Sequence, residues 1–327
     1  MNISEIAKLA EVSPSAVSRY LNNGYLSDEK KEAIRKVIEE TGYRPLVQAQ
    51  VLRTRKTKTV GVILPKIDSF SISNVVAGID LVLERKGFQI LLADTHNNPE
   101  KELAHLDTFD DQRVDGVVLL GTVFTPKHMA CLRKSRVPIV IAGQQLAGMF
   151  CVYHDDYHAF YDMTKLLLDK GCRHMAYMAA LPQDKAVGQE RTRAYQDAVR
   201  KAGLEDQAGH VAVADFTMAS GREKAQELWE TYGPLDALIC ATDTMAVGAL
   251  QYFKSQGIRV PQDVRLTGHG ASNISEVTSP TITTIRYFYE ESGASAASLL
   301  LERLEDPALP AREVKLSYAI VEQESTG

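Results

Sequence analysis

Short apolar runs alternate with amphipathic segments over most of the chain, from residue 60 to residue 303. Strands that alternate with helices pair in parallel, and the helices then cover both faces of the sheet. The alternation therefore predicts an α/β core rather than an all-helical or all-β fold. The apolar runs that we interpret as strands cover residues 60–65, 88–93, 114–120, 138–142, 175–179, 211–214, 237–241 and 264–268.

The strand–helix alternation stops near residue 142 and then starts again, which predicts two doubly wound subdomains in the core. We expect the first to cover about 60–157 with a return near 272–290, and the second to cover 158–271 and 290–327. In open parallel sheets ligands bind at the carboxyl ends of the strands. The sequence thus predicts a ligand cleft between the subdomains.

The first 45 residues have a different pattern, with signals for three short helices. Asn2 with Glu5 forms a capping box, and Ser13 followed by Pro14 is a typical helix start. Ser27 is a candidate cap for the third helix, and Gly42 is suited to end it. A tight turn between the first two helices is typical of a helix-turn-helix, although a small bundle that binds nothing has the same pattern.

The charge distribution differs between this segment and the remainder of the chain. The net charge is −5, but residues 1–60 hold 11 Lys and Arg against 7 Asp and Glu, whereas the remainder holds 26 against 35. A basic segment on an acidic body favours a nucleic-acid-binding module. A solubilising surface would have the same composition, so charge alone leaves both interpretations open.

The residue pattern itself resembles a known family. Residues 3–10 (ISEIAKLA), 12–22 (VSPSAVSRYLN) and 42–45 (GYRP) closely resemble the N-terminal signature of the lactose-repressor/galactose-repressor family. The resemblance extends over essentially the whole chain. It implies a three-helix helix-turn-helix headpiece (1–45), a hinge helix and linker (46–59), and a periplasmic-binding-protein-like core (60–327) that binds effector and dimerises.

The resemblance also implies which residues contact DNA. Pro14 and Ser15 match the main base-reading positions of the second helix. Leu52 matches a hinge leucine that wedges into the minor groove and kinks the duplex. The whole implied set is Asn2, Ser4, Ser13, Pro14, Ser15, Ala16, Ser18, Arg19, Asn22, Ala49, Gln50, Leu52, Arg53 and Arg55. The linker arginines are suited to phosphates, which set affinity without reading sequence.

Effector-binding residues follow from the resemblance in the same way. Arg191 matches the arginine that grips the effector, and its planar fork suits paired sugar hydroxyls or a carboxylate. At Gly270 many family members carry an aspartate that binds sugar hydroxyls, so this chain holds its ligand differently. The implied residues are Asp68, Ser69, Phe70, Gln144, Asp155, Asp184, Arg191, Phe216, Thr242, Asp243, His269 and Tyr287.

Catalytic and metal-binding motifs are absent from the sequence. It has no glycine-rich dinucleotide fingerprint, no phosphate-binding loop and no nucleophile elbow, so we expect no enzyme and no cofactor. His154, Asp155 and Asp156 are adjacent and cannot all face one ion from a strand end, so a capped loop is favoured over a metal site. The four widely spaced cysteines indicate reduced core thiols in a cytoplasmic protein without a membrane span.

Together these features predict a homodimeric transcriptional repressor of a carbohydrate-utilisation operon. It would bind a pseudo-palindromic operator and leave it when a small sugar binds. Residues 66–70, 143–145, 154–157 and 186–191 are most similar to the sucrose-operon-repressor branch in Gram-positive bacteria, which favours sucrose or a related sugar. Two alternatives stay open: a regulator that needs a small-molecule or protein corepressor, and, less favoured, a sugar-binding protein that does not bind DNA.

Overall fold

A computed structural model describes residues 1–21, 24–43, 57–112 and 114–327. These residues form two compact units, Met1–Thr57 and Lys58–Gly327. Over these ranges, none of the helices combines the length and the apolar character that a membrane span requires.

The N-terminal unit contains three helices, α1 (Ile3–Leu9), α2 (Pro14–Leu21) and α3 (Asp28–Thr41). Their apolar faces meet in a small core that includes Ile6 and Ile34, both fully buried. The tight turn between α1 and α2 confirms the predicted helix-turn-helix.

The predicted helix boundaries follow from local hydrogen bonds. The Asn2 side chain accepts from the amides of Ser4 and Glu5, and the Glu5 carboxylate accepts from the Asn2 amide at 2.9 Å, which completes the capping box. Gly42 ends α3 with φ of 62°, a left-handed conformation that glycine adopts at little cost. Ser27 occupies the cap position of α3, but its side chain makes no capping hydrogen bond.

The second unit has two lobes, and the first lobe is built on a six-stranded parallel sheet. Its strand order is β2-β1-β3-β4-β5-β11. The strands are β1 (Thr59–Leu64), β2 (Gln89–Asp94), β3 (Gly116–Leu119), β4 (Ile139–Ala142), β5 (Phe150–His154) and β11 (Glu313–Leu316). Helices α4 (Phe70–Arg85), α5 (Pro99–Gln112), α6 (Pro126–Lys134) and α12 (Tyr289–Glu305) cover it. Because both faces are covered, β1, β3 and β4 are almost wholly buried and apolar.

The second lobe is built on a four-stranded parallel sheet with the order β7-β6-β8-β9. The strands are β6 (Met175–Ala179), β7 (Val211–Val213), β8 (Ala237–Cys240) and β9 (Arg265–Thr267). Around it lie α7 (Asp156–Asp169), a π-helix (Lys185–Glu190), α8 (Arg191–Lys201), α9 (Met218–Tyr232), α10 (Asp243–Ser255) and α11 (Asn273–Val277). A separate antiparallel pair, β10 (Thr284–Tyr287) with β12 (Tyr318–Val321), packs beside them.

The predicted division of the core between its lobes was wrong near the C-terminus. Residues 272–287 belong with the second lobe, since α11 packs on α10 and Thr283 bridges to Thr267 of β9. The return to the first lobe is instead made by residues 289–316. Helix α12 packs on α4 and the first sheet, and β11 pairs with β5. The close packing of α12 on α4 depends on Gly78 and Gly293, where an added Cβ would meet the backbone of the other helix at 1.9 Å.

Candidate ligand cleft and nucleic-acid surface

A cavity of about 280 Å³ lies between the two lobes, at the carboxyl ends of their parallel strands. From the first lobe it is lined by the loops after β1, β2 and β3, and from the second by the loops after β6 to β9. This is the position predicted for a ligand cleft. The predicted effector residues that line it are Asp68, Ser69, Phe70, Asp184, Arg191, Phe216, Thr242, Asp243 and His269.

A second cavity of about 150 Å³ shares part of this lining and extends it inward. Thr122, Asp184, Arg191 and Tyr289 line both cavities, so together they form one extended cleft. Gln144 and Tyr287, the other two predicted residues of the cleft, line the inner cavity.

Arg191, the first residue of α8, is held at the centre of the cleft by a buried ion pair. Its Nε donates to Asp156 Oδ1 at 2.6 Å, and its Nη1 donates to the carbonyl oxygen of Ala241 at 3.0 Å. The Asp156 carboxylate also accepts from the Tyr287 hydroxyl at 2.9 Å. Because Arg191 is only 5% exposed and bonded on two sides, its guanidinium is fixed in direction before any ligand arrives.

Two buried histidines flank Tyr287 beside this ion pair. The His154 ring stacks on the Tyr287 ring with centroids 4.2 Å apart, and the His269 ring meets it edge-on at 4.5 Å. Burial lowers the pKa of His154 to about 4, and burial, reinforced by Arg191, lowers the pKa of His269 well below its ordinary value. Both rings are therefore neutral at pH 7, with one donor and one acceptor nitrogen each.

His269 has unused hydrogen-bonding capacity at the cleft wall. Neither of its ring nitrogens has a hydrogen-bond partner in the described parts of the chain. A buried polar atom without a partner costs free energy, which a ligand hydroxyl can recover by pairing with it. His269 is thus suited to bind a neutral polar ligand.

The polar pair after β8 has a structural role. Thr242 caps α10 by accepting from the amide of Met245 at 3.2 Å. The buried Asp243 carboxylate accepts from the amide and hydroxyl of Ser272, both at 2.7 Å, and from the Thr284 hydroxyl at 2.6 Å. Asp243 therefore anchors the loop after β9 and holds His269 in place, and burial raises its pKa.

Aromatic rings form the outer walls of the cleft. Phe70 at the start of α4 and Phe216 after β7 are both partly exposed there. The Phe70 ring meets the Tyr289 ring edge-on at 6.5 Å. Ser69 precedes α4 and pairs with the Ser71 hydroxyl at 3.0 Å, while Asp68 forms an exposed ion pair with Lys66. Apolar ring faces beside hydroxyls and carboxylates suit the mixed surface of a sugar.

Asp155, which was also predicted to bind effector, lines neither of the two cavities that form the cleft. It caps α7 through the amide of His158 and pairs with Lys315 at 3.0 Å. It lines an adjoining cavity of about 330 Å³, which shares Gln144, His154 and Asp156 with the inner cavity. The strand end directs adjacent residues to different sides, so Asp156 faces the cleft and Asp155 does not. The two carboxylates have separate partners, which agrees with the capped loop predicted for this segment.

The headpiece places most of its predicted DNA-contacting residues on the surface. Ser13, Pro14, Ser15 and Arg19 are exposed at α2, and Arg19 Nε donates to the Ser15 carbonyl oxygen at 3.4 Å. Ser18 is half-buried on the same helix, and Asn2 and Ser4 are exposed at the start of α1.

Among the described residues of this predicted set, Ala16 alone has a buried side chain. Its side chain is 3% exposed and packs in the headpiece core with Ile6, Val17 and Ile34. The rotation of α2 about its axis, which the core decides, turns this position inward. The remaining predicted contacts, Asn22, Ala49, Gln50, Leu52, Arg53 and Arg55, lie outside the described residues.

Four candidate functional residues were missed by the sequence reasoning. Asp156, Asn97 and Thr122 line the cleft, and each lies at or just after a strand end, which was the available signal. Asn97 adopts φ of 57°, a left-handed conformation that asparagine tolerates better than most residues. In the headpiece, the Tyr25 side chain is 90% exposed, and nothing in the sequence pattern distinguished it.

Two family models match the chain. Residues 2–45 match the model of bacterial regulatory proteins of the lacI family, and residues 164–326 match a periplasmic binding protein-like domain. These ranges coincide with the headpiece and with much of the second lobe.

Known proteins are similar over nearly the full length. The sucrose operon repressor of Staphylococcus xylosus is 30% identical over 311 residues, which cover 95% of this chain and 96% of that protein. The structure of the transcriptional regulator CelR in complex with cellobiose is 27% identical, with a TM-score of 0.77 and 99% of each chain covered. The lac repressor dimer bound to operator and an anti-inducer has the same fold, with a TM-score of 0.91 at 20% identity, covering 100% of this chain and 99% of that one.

Proposed function

Because the chain belongs to the lacI family of bacterial regulatory proteins, we propose that it is a transcriptional repressor of a carbohydrate-utilisation operon, released from its operator by a small sugar. The observation that carries this proposal is the presence in one chain of a helix-turn-helix and an interlobe cleft with polar and aromatic walls. The first can bind DNA, and the second can bind a small polar ligand.

The composition of the cleft favours a neutral sugar as the effector. Its carboxylates Asp68, Asp184 and Asp243 outnumber its cations Lys66 and Arg191, so the cleft has no excess of positive charge to attract an anionic ligand. A sugar has hydroxyls for the unpaired nitrogens of His269 and an apolar face for the aromatic rings at the entrance.

The size of the cleft and the relatives favour a disaccharide. The outer cavity of about 280 Å³ continues into the inner one of about 150 Å³, which gives room for two sugar rings. One relative is a sucrose operon repressor and another was solved with cellobiose, and both of these sugars are disaccharides. We therefore propose sucrose or a related sugar as the effector, bound by Arg191.

On the DNA side, we propose that the exposed positions of α2 read the major groove. Pro14, Ser15 and Arg19 would reach base edges or phosphates, as in other helix-turn-helix proteins. Leu52 of the hinge would insert into the minor groove and kink the duplex. We propose that the protein acts in the cytoplasm, where a bacterial operator is accessible to it.

A homodimer on a pseudo-palindromic operator completes the proposal. Exposed apolar side chains on the first lobe support it, namely Leu81 on α4 and Leu91 and Leu92 on β2. Strand β2 is the edge of the six-stranded sheet, and a long apolar edge is normally covered by a partner.

The proposal is tested by selecting bound duplexes from a random DNA pool and titrating sugars against the resulting complex. Sucrose or another disaccharide should weaken DNA binding, as measured by fluorescence anisotropy at fixed salt. Tighter DNA binding on adding sugar would instead favour corepression. A chain that is stabilised by sugar in thermal shift but selects no DNA would contradict the regulator and favour a simple sugar-binding protein.

A further inference from the structure

One hydrogen-bonded contact crosses the inner cleft from lobe to lobe. Gln144, in the loop after β4, is 4% exposed, and its Nε2 donates to the carbonyl oxygen of Thr122 at 2.5 Å. The same Nε2 donates to Asp184 Oδ1 at 3.1 Å. Thr122 and Gln144 follow strands of the first lobe, whereas Asp184 follows β6 of the second. The amide group of Gln144 therefore joins the two lobes.

On the second lobe, Asp184 is tied to the segment that carries Arg191. Its Oδ1 also accepts from the amide of Val187 at 2.9 Å and so caps the π-helix Lys185–Glu190. This π-helix continues without a break into α8, whose first residue is Arg191. A movement of Asp184 is therefore transmitted to the arginine at the centre of the cleft.

The segment that follows Asp184 is closely packed against the residues before it. Gly188 lies so close to the carbonyl oxygen of Leu181 that a Cβ at residue 188 would approach it to 2.0 Å. π-helices are rare overall and occur frequently at functional sites. The hydrogen bond from Gln144 to Asp184 therefore acts on a closely packed segment.

The covalent connections between the lobes leave room for a hinge motion. The chain passes between the lobes in three segments: from β5 to α7, from β10 to α12, and from β11 to β12. Short chain segments that connect two lobes side by side permit the lobes to close like a hinge around a ligand. The separation of the lobes at the cleft is then decided by non-covalent contacts across it.

We propose that Gln144 and Asp184 form an interlobe latch that holds the cleft closed and positions the Arg191 helix. The latch rests on the proposed function, since it regulates the cleft in which the sugar would bind. Gln144 is thus a positioning residue that acts through Asp184. By linkage, a ligand that binds best to the closed cleft binds more tightly when the latch is intact.

The latch is tested on the full-length protein without sugar or DNA, by measuring the distance between the lobes. Spin labels on cysteines introduced at Lys127 of α6 and Glu223 of α9, both exposed, report that distance by pulsed electron resonance. The partly exposed Cys131 is first replaced by serine, and the other three cysteines are buried. Gln144→Leu is the test variant, and Gln145→Leu is its matched control.

The neighbouring glutamine is a suitable control because its hydrogen bond stays within the first lobe. Gln145 Nε2 donates to Glu313 of β11, in the same sheet as β4. We expect Gln144→Leu to shift the interlobe distances to longer values and Gln145→Leu to leave them unchanged. Identical distances in Gln144→Leu and in the parent protein would overturn the latch.

A second variant with a shorter side-chain amide tests the proposal if Gln144→Leu does not fold. Gln144→Asn keeps the amide but lacks one methylene, so it cannot reach both Thr122 and Asp184. The same shift to longer distances is expected, and unchanged distances in a folded Gln144→Asn protein would equally overturn the proposal.

Coupling to the ligand gives a second, independent measurement. Loss of a hydrogen bond to a charged group should weaken sucrose binding by roughly tenfold in Gln144→Leu. Unchanged sucrose affinity in a variant whose lobes have opened would contradict the coupling to Arg191. The distance measurement needs no ligand, so failure of every sugar to bind would count against the proposed function while leaving the latch decided.

Discussion

The buried ion pair between Arg191 and Asp156 provides the most direct test of how the cleft is built. We consider three variants: Arg191→Met, Asp156→Leu, and the two changes combined. Each single change leaves one buried charge without its partner, because Asp156 Oδ1 and Arg191 Nε are 2.6 Å apart and both side chains are almost fully buried. The double change replaces both charges by apolar groups.

The size of the effect follows from the burial of the pair. Removing one partner of a buried ion pair costs about 3–5 kcal/mol, and we expect the lower end because the cleft gives Arg191 some access to water. At about 2–4 °C per kcal/mol for a large domain, a loss of about 3 kcal/mol lowers Tm by roughly 6–12 °C. The double variant should regain most of this stability, because neither charge is then buried alone.

The assay is a double-mutant cycle of thermal unfolding, combined with sucrose titration of each folded variant. We expect a coupling free energy of about 4–5 kcal/mol between the two positions, because two independent losses of about 3 kcal/mol would add to about 6, whereas the double variant should lose only about 1–2. We also expect loss of sucrose binding in every variant that lacks Arg191. Simple additivity of the two single losses would refute the reasoning that the charges depend on each other. Sucrose binding by a stable double variant would refute the gripping role of Arg191.

Three further predictions concern the loop before α8, the hinge and the buried histidines. Gly188→Ala should cost about 1–3 kcal/mol in the free energy of unfolding because its Cβ would meet backbone at 2.0 Å, whereas Gly209→Ala, with open space around its Cβ, should be nearly neutral in urea denaturation. Leu52→Ala should weaken specific DNA binding and leave salt-sensitive nonspecific binding intact; equal losses in anisotropy titrations would refute the wedge. His154 has a pKa of about 4 in the folded protein against an ordinary 6.5, so the unfolded state binds more protons between pH 4 and pH 6.5. The free energy of unfolding therefore decreases as pH falls from 6.5 to 4, because the buried, neutral His154 resists the protonation that the unfolded chain accepts. His154→Gln should therefore lose less free energy of unfolding than the parent protein over this pH range. The comparison with the parent is needed because burial raises the pKa of Glu102 to about 7, so that Glu102 makes both proteins more stable as pH falls.

The sequence was sufficient for the features that depend on neighbours along the chain. The capping box of Asn2 and Glu5 and the left-handed Gly42 are decided within one helical turn, so the headpiece helices could be located in advance. The alternation of strands and helices is equally local. Short strands such as β5 and β11 carry a weaker pattern, and they were not among the predicted strands.

Much of the cleft could also be predicted, for a topological reason. Asp68, Arg191 and Phe216 are far apart in sequence, but each follows a strand of one of the two parallel sheets, and the carboxyl ends of both sheets face the cleft. The sequence indicated this edge as the site. It did not indicate that the Asp243 carboxylate would accept hydrogen bonds from Ser272 and Thr284, because these residues lie far from Asp243 along the chain.

The sequence by itself determined most of the order of the elements, the helix-turn-helix and the edge at which the cleft lies, because periodicity, caps and strand ends act over a few residues. Only the tertiary structure decided which side chains face which way: Ala16 into the headpiece core, Asp156 rather than Asp155 towards Arg191, and α12 back onto the first lobe. The rotation of a helix and the choice of a buried charge's partner are set by whatever packs against them. That packing is fixed only when segments distant along the chain meet.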